Sequence, residues 1–80
     1  MVHLNVEKIR KSKGITKTHM AKKLGLTIQG YSQITSGNVR LDVERLKVIA
    51  QIMSVDPAIF FNDELTDSVI NDFESKLASY

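Results

Sequence analysis

Apolar side chains recur at spacings of three and four residues along almost the whole chain, and this spacing is the strongest constraint on its fold. It places apolar side chains along one face of an α-helix, whereas a half-buried strand requires strict alternation. Few alternating runs of Val, Thr or Tyr are present. The sequence therefore predicts an all-α fold.

Six helix starts share one local pattern, in which a capping residue has an apolar residue before it and another four residues after it. Such apolar pairs pack together as a hydrophobic staple. The six patterns are Leu4-Asn5 with Ile9, Ile15-Thr16 with Met20, Leu26-Thr27 with Tyr31, Leu41-Asp42 with Leu46, Val55-Asp56 with Phe60, and Leu65-Thr66 with Ile70. Pro57 suits the first position of the short fifth helix, which needs no N–H there. Gly14, Gly25 and Gly37 fall where helices should end.

Length and composition limit what else the chain can contain. Its 80 residues compare with ~150 for a typical domain, so we expect one small domain without a separate effector-binding domain. The absence of cysteine excludes disulfides and thiolate sites and fits a reducing cytoplasm. No apolar run approaches the ~20 residues of a membrane span, and the first residues do not resemble a signal peptide. We therefore expect a soluble cytoplasmic protein.

Charge is divided unevenly along the chain. Residues 1–47 contain ten Lys or Arg and three acids, a net charge of +7, whereas residues 48–80 contain one Lys and six acids, a net charge of −5. The formal net charge of +2 hides this division. A basic region of this kind indicates a polyanionic partner.

The basic region contains a predicted pair of short helices between Lys17 and Ser36, joined by Leu24-Gly25-Leu26-Thr27. A connection of this length and glycine content is typical of a helix-turn-helix. The side chains predicted to face inward are Met20, Ala21, Leu24, Leu26, Tyr31 and Ile34. Gly25 permits the positive φ angle that a sharp turn requires.

This segment resembles the Cro and phage-repressor type of helix-turn-helix, also called the XRE family. The resemblance is strongest over residues 15–27 and in Tyr31-Ser32-Gln33-Ile34, and it covers about residues 3–61. It implies a five-helix domain in residues 1–61 that binds operator DNA as a homodimer and regulates transcription, most often as a repressor. Residues 62–80 are predicted to add a C-terminal amphipathic helix.

The resemblance also implies which residues contact DNA, because the second helix of this motif enters the major groove. Base readout is expected from Thr27, Ile28, Gln29, Ser32 and Gln33. Phosphate contacts are expected from Thr16, Lys17, Asn38 and Arg40. A glutamine amide can pair with adenine, but this helix offers no Arg or Lys for guanine. The resemblance therefore implies a half-site that favours A/T pairs.

Two positions depart from the family pattern. Gly30 lies inside the second helix, where glycine costs about 1 kcal/mol relative to alanine, so it either admits close approach of DNA or weakens the helix. Family members often have an acidic residue at the position of Thr35, paired with an arginine at the position of Arg10. That acid is absent here, so Arg10 is expected to contact phosphate, Glu7 or Glu44.

The C-terminal helix leaves two structural alternatives open. It either packs on its own domain or forms a dimer surface, because an exposed apolar strip is unusual on a soluble monomer. The residues considered for such a surface are Ile59, Phe60, Phe61, Val69, Ile70, Phe73 and Leu77. A different class of function is an interaction module, an antitoxin or antirepressor, that binds a protein partner through this helix. A restriction-modification controller is a variant of the regulator.

Neither an enzyme nor a metal protein is expected. His3 and His19 are far apart in the predicted fold, and neither has a paired acid at a ligand spacing. No nucleophile, base and orienting group come together in the sequence pattern. We therefore expect no cofactor and no catalytic residue.

Overall fold

The computed structural model describes the backbone of residues 1–78 and the side chains of residues 1–76. The elements are α1 (Val2–Ser12), α2 (Lys17–Leu24), α3 (Ile28–Thr35), α4 (Val43–Met53), a 3₁₀ helix (Pro57–Phe61) and α5 (Asp63–Ala78). No strand occurs among these residues, so the predicted all-α fold is confirmed. The side chain of Leu77 lies outside the described residues.

Four of the six predicted caps are confirmed. Each accepts a hydrogen bond from a backbone N–H in the first turn of its helix, where these donors have no partner within the helix. They are Thr16, Thr27, Asp42 and Asp56, which accept from His19, Gly30, Arg45 and Ala58. Pro57 occupies the first turn of the 3₁₀ helix as expected. Ser54 ends α4 in the left-handed region, with φ of 57°, although no glycine marks this helix end.

The prediction that Asn5 caps the first helix is wrong. Helix α1 begins at Val2, and Asn5 is a buried residue inside it. Its Nδ2 atom donates to the carbonyl oxygen of Phe60 at 2.9 Å and to Oδ1 of Asp63 at 2.8 Å. The asparagine therefore joins α1 to the 3₁₀ helix and to the start of α5.

The predicted cap at Thr66 is also wrong. Helix α5 begins at Asp63, and Oδ1 of Asn62 accepts from the N–H of Leu65 at 3.0 Å, which is the interaction of a cap. Thr66 is fully buried one turn later, and its hydroxyl donates to the carbonyl oxygen of Ile59 at 2.6 Å. This bond fastens α5 to the 3₁₀ helix.

A single apolar core is built from α1 to α4 and the 3₁₀ helix. Its buried side chains are Val6, Ile9, Met20, Ala21, Tyr31, Leu46, Ile49, Ala50, Met53, Ile59 and Phe60. The expectation that Ile59 and Phe60 belong to a dimer surface is therefore corrected. They are only 7% and 0% exposed, because they fill the core of their own chain.

Helix α5 packs on its own domain, which was one of the two alternatives. It lies against α1 and the 3₁₀ helix, and the half-buried Val69 and Ile70 pack against the core. Lys13, which follows α1, reaches across to it, with Nζ 5.5 Å from the ring centroid of Phe73. Among the described residues, α5 touches neither α2 nor α3. The acidic helix is therefore held away from the helix-turn-helix.

Candidate nucleic-acid interface

Helices α2 and α3 form the predicted helix-turn-helix. Gly25 ends α2 with φ of 68°, and the N–H of Leu26 turns back to the carbonyl oxygen of Ala21 at 2.8 Å. Met20 and Tyr31 are buried between the two helices and the core, as their spacing indicated. The turn thus fixes α3 on the rest of the domain through one face and leaves its opposite face open.

The residues expected to read bases lie on or beside this open face of α3. Thr27, Ile28, Gln29 and Gln33 are exposed, and Ser32 is half-buried. Gln29 and Gln33 are four residues apart and so lie one helical turn from each other. The face offers amide, hydroxyl and apolar groups, a set that suits base edges in a groove.

The residues expected to contact phosphate lie at two places. Thr16 and Lys17 are exposed at the start of α2, where backbone N–H groups favour anions. Asn38 and Arg40 are exposed in the loop between α3 and α4. Neither Lys17 nor Arg40 forms a salt bridge within the part of the chain that the structure describes, so both cations are available.

The loop after α3 is held by its own backbone and by α1. The N–H of Val39 donates to the carbonyl oxygen of Gln33 at 3.1 Å, and Gly37 has φ of 86°. The ring of His3 packs so closely on Gly37 that a Cβ atom there would lie 3.0 Å from Nε2 of the ring. His3 is half-buried in this contact, and it supports the segment that contains Asn38 and Arg40.

Gly30 has a structural explanation within the motif itself. A Cβ atom at this position would lie 3.2 Å from the capping Oγ1 of Thr27 and 3.7 Å from Cβ of Leu26. The glycine therefore faces the turn before α3 and makes room for the cap. Close approach of DNA, one of the two explanations offered by the sequence, is not needed to account for a glycine at this position.

Arg10 pairs with Glu7, which is one of the three contacts considered for it. Its Nε and Nη2 atoms donate to the two carboxylate oxygens at 2.7 and 3.2 Å, and Nη1 donates to the carbonyl oxygen of Ile15 at 2.7 Å. Arg10 is buried, so it cannot serve as an exposed phosphate contact. The spacing of three residues from Glu7 to Arg10 is a sequence signal for such a pair.

The same carboxylate accepts a third hydrogen bond, from the hydroxyl of Tyr31 at 3.0 Å. Burial by itself raises the pKa of Glu7, but the hydrogen bonds from Arg10 and Tyr31 outweigh it and hold this pKa below its ordinary value. Burial and the neighbouring carboxylate raise the pKa of Tyr31 well above its ordinary value. Sequence reasoning missed this contact, because the two residues are 24 positions apart and no local pattern links them.

The described residues contain no group of three or more His, Asp or Glu side chains that could hold a metal ion. None of the described helices has the length and apolar character needed to cross a bilayer.

Comparison with known proteins agrees with this geometry. The helix-turn-helix family model matches residues 6–60, which run from α1 into the 3₁₀ helix. The SPbeta prophage-derived uncharacterized HTH-type transcriptional regulator YonR of Bacillus subtilis (strain 168) is 30% identical over 79 aligned positions, and the match covers 94% of this chain and 73% of that protein. No solved structure matches the chain significantly. The chain belongs to the helix-turn-helix family of Cro and phage-repressor (XRE) type and is a non-enzymatic, DNA-binding regulator of transcription.

Proposed function

We propose that this protein is a repressor that binds a palindromic operator as a homodimer and acts by occupying it. The observation that carries the proposal is the exposure of Gln29 and Gln33 one turn apart on α3, with cations at the start of α2 and after α3. Such a regulator acts where the DNA is, on the bacterial nucleoid in the cytoplasm. The prophage origin of YonR, which shares the fold family, fits a regulator of a mobile element.

The proposed readout follows from the chemistry of the exposed face. Each glutamine amide can form a bidentate contact with adenine. Its NH₂ group donates to N7 of the base, and its oxygen accepts from the N6 amino group. Ile28 can pack against a thymine methyl group. Because α3 presents no Arg or Lys, guanine lacks its commonest partner. An A/T-rich half-site is the expected target.

The proposed dimer uses apolar side chains that the monomer leaves exposed beside α3. Phe61 is 62% exposed, and it borders a cavity of about 220 Å³ that Val39 and Val43 also line. A twofold interface brings one surface patch against its own copy, so a protruding ring next to a cavity can fill the cavity of the partner. Of the expected dimer residues whose side chains the structure describes, Phe61 is the most exposed, whereas Val69, Ile70 and Phe73 are half-buried.

The packing of α5 favours a regulator over a module that binds partners through this helix. Val69 and Ile70, the apolar side chains that such a module would offer, lie against the core of their own chain. A partner would have to displace them first.

Selection of random-sequence duplexes by the purified protein at about physiological salt tests the proposal, because nonspecific phosphate binding is weak under these conditions. We expect enrichment of an A/T-rich palindrome whose half-site centres are about 34 Å, or one helical turn, apart. Enrichment of a single half-site would contradict the dimer. Binding that shows no enrichment and disappears as salt rises would contradict sequence-specific regulation.

Two substitutions separate phosphate contact from base readout. Arg40→Ala should weaken binding to all duplexes and lower the slope of log affinity against log salt by about one ion, because it removes one phosphate contact. Gln33→Ala should relax a single base position of the selected site and cost about 1–3 kcal/mol there. Binding isotherms at several salt concentrations measure both effects.

Lys22→Ala is the matched control for Arg40→Ala. Lys22 is exposed in the last turn of α2, at the end opposite to the proposed phosphate site. For Lys22→Ala we expect the slope of log affinity against log salt to equal that of the unmodified protein. If all three variants lose the same affinity on specific and random duplexes, the assignment of separate roles is wrong.

A further inference from the structure

One half-buried carboxylate connects the two elements that the proposed function places on DNA. The Oε2 atom of Glu7 accepts from the hydroxyl of Tyr31 at 3.0 Å and from Nε of Arg10 at 2.7 Å. Tyr31 belongs to α3, which carries the exposed glutamines. Glu7 itself belongs to α1, which carries none of the residues that we propose to contact DNA.

The other end of this connection is the start of α2. Nη1 of Arg10 donates to the carbonyl oxygen of Ile15 at 2.7 Å, and Ile15 immediately precedes the capping residue Thr16. The chain of contacts therefore runs from α3 through Tyr31, Glu7 and Arg10 to the first residues of α2. It joins the base-reading helix to the proposed phosphate site across the interior of the domain.

The three side chains have little exposure to water, and the strength of their hydrogen bonds depends on distance and alignment. The side chains of Arg10 and Glu7 are 9% and 14% exposed, and Tyr31 is fully buried. Hydrogen bonds that involve a charged group are stronger than neutral ones and prefer short distances and good alignment. The ring of Tyr31 packs in the core, and its hydroxyl contributes a directional hydrogen bond to Glu7.

We propose that Glu7 is a positioning residue for DNA recognition, which sets the orientation of α3 relative to the start of α2 through its bonds to Tyr31 and Arg10. This inference rests on the proposed function, in which α3 reads bases. Base contacts depend on where α3 lies in the groove, whereas phosphate contacts carry no sequence information. Loss of the Tyr31 bond should thus reduce discrimination between sequences and leave general attraction to DNA intact.

Tyr31→Phe tests the inference, because it removes one hydroxyl and keeps the ring and the pair of Glu7 with Arg10. The quantity to measure is the ratio of affinity for the selected duplex to affinity for random duplex. We expect this ratio to fall about tenfold, which is equivalent to about 1.4 kcal/mol, while affinity for random duplex stays within about twofold.

Thr66→Val is the matched control, since it also removes one hydroxyl that donates a buried hydrogen bond. That bond lies between α5 and the 3₁₀ helix, away from α2 and α3. The control should lose stability and keep the affinity ratio, so a fall caused by lower stability alone would appear in both variants. Equal ratios for Tyr31→Phe and the unmodified protein, or equal falls in both variants, would overturn the positioning role.

The two proposals can fail separately. If the unmodified protein binds selected and random duplexes equally, sequence-specific regulation and the positioning role are both wrong. If it discriminates between them and Tyr31→Phe discriminates equally well, only the positioning role is wrong.

Discussion

Glu7→Ala is expected to lower the free energy of unfolding by about 3 kcal/mol, because it leaves a buried guanidinium without its counter-charge. Arg10 keeps one hydrogen bond, to the carbonyl oxygen of Ile15, but its Nε and Nη2 donors lose their acceptors. The hydroxyl of Tyr31 loses its acceptor as well. Removing one member of a buried pair costs more than the pair contributes, since desolvation of the remaining charge is no longer offset.

Glu44→Ala provides the control for this substitution. Glu44 and Lys47 have the same spacing of three residues as Glu7 and Arg10, but their atoms are 3.6 Å apart and the Glu44 side chain is 86% exposed. Such exposed pairs contribute about 0–1 kcal/mol, so the control should unfold almost as the unmodified protein does. Urea unfolding followed by circular dichroism measures both variants. Equal midpoints for the two would show that the Glu7 contacts do not stabilise the fold.

Deletion of residues 63–80 is expected to leave most of the chain unfolded, although these residues lie outside the part that matches the family model. The deletion removes Val69 and Ile70, which pack against the core, and leaves Asn5 without its bond to Asp63. Full burial of an aliphatic side chain contributes about 1.5–3 kcal/mol, so each of these two half-buried side chains contributes part of that amount. The loss of Thr66 removes a further hydrogen bond to the 3₁₀ helix. A chain of 80 residues typically has a total stability of only about 4–12 kcal/mol.

Thermal unfolding of the shortened chain measures this effect. Leu65→Gln serves as the control, because Leu65 lies on α5 with half of its side chain exposed and should change stability by less than about 0.5 kcal/mol. A cooperative transition near that of the full chain would contradict a structural role for α5. DNA binding by the shortened chain would be informative only if it folds.

Local sequence patterns were sufficient to predict the helices. The two wrong caps, Asn5 and Thr66, result from contacts between residues that are not neighbours in the sequence pattern. Thr16, Thr27 and Asp42 cap helices because the accepting side chain and the backbone N–H that donates to it are only three residues apart in sequence. Asn5 and Thr66 have the same local pattern, yet both hydrogen-bond to the 3₁₀ helix instead. Packing between elements overrides local preference at such positions, and a sequence pattern of six residues does not contain that information.

The exposed face of α3 was predictable for a related reason, since the apolar face follows from helical spacing and the remaining positions must lie opposite. The contact between Glu7 and Tyr31 was not predictable, because it depends on how α1 crosses α3. The left-handed conformation of Ser54, which ends α4, was not predictable either, because no glycine marks this position. Gly30 was correctly singled out, but its cause, the space needed by the cap of Thr27, required coordinates.

The two faces of α3 divide its residues into those that hold the domain together and those that do not. Tyr31 and Ile34 are buried, whereas Gln29 and Gln33 contribute nothing to the core. Substitutions on the outer face therefore leave stability almost unchanged. A lineage of such proteins can therefore diverge in the operators they recognise through a few replacements on this face, and each successive variant keeps a stably folded domain.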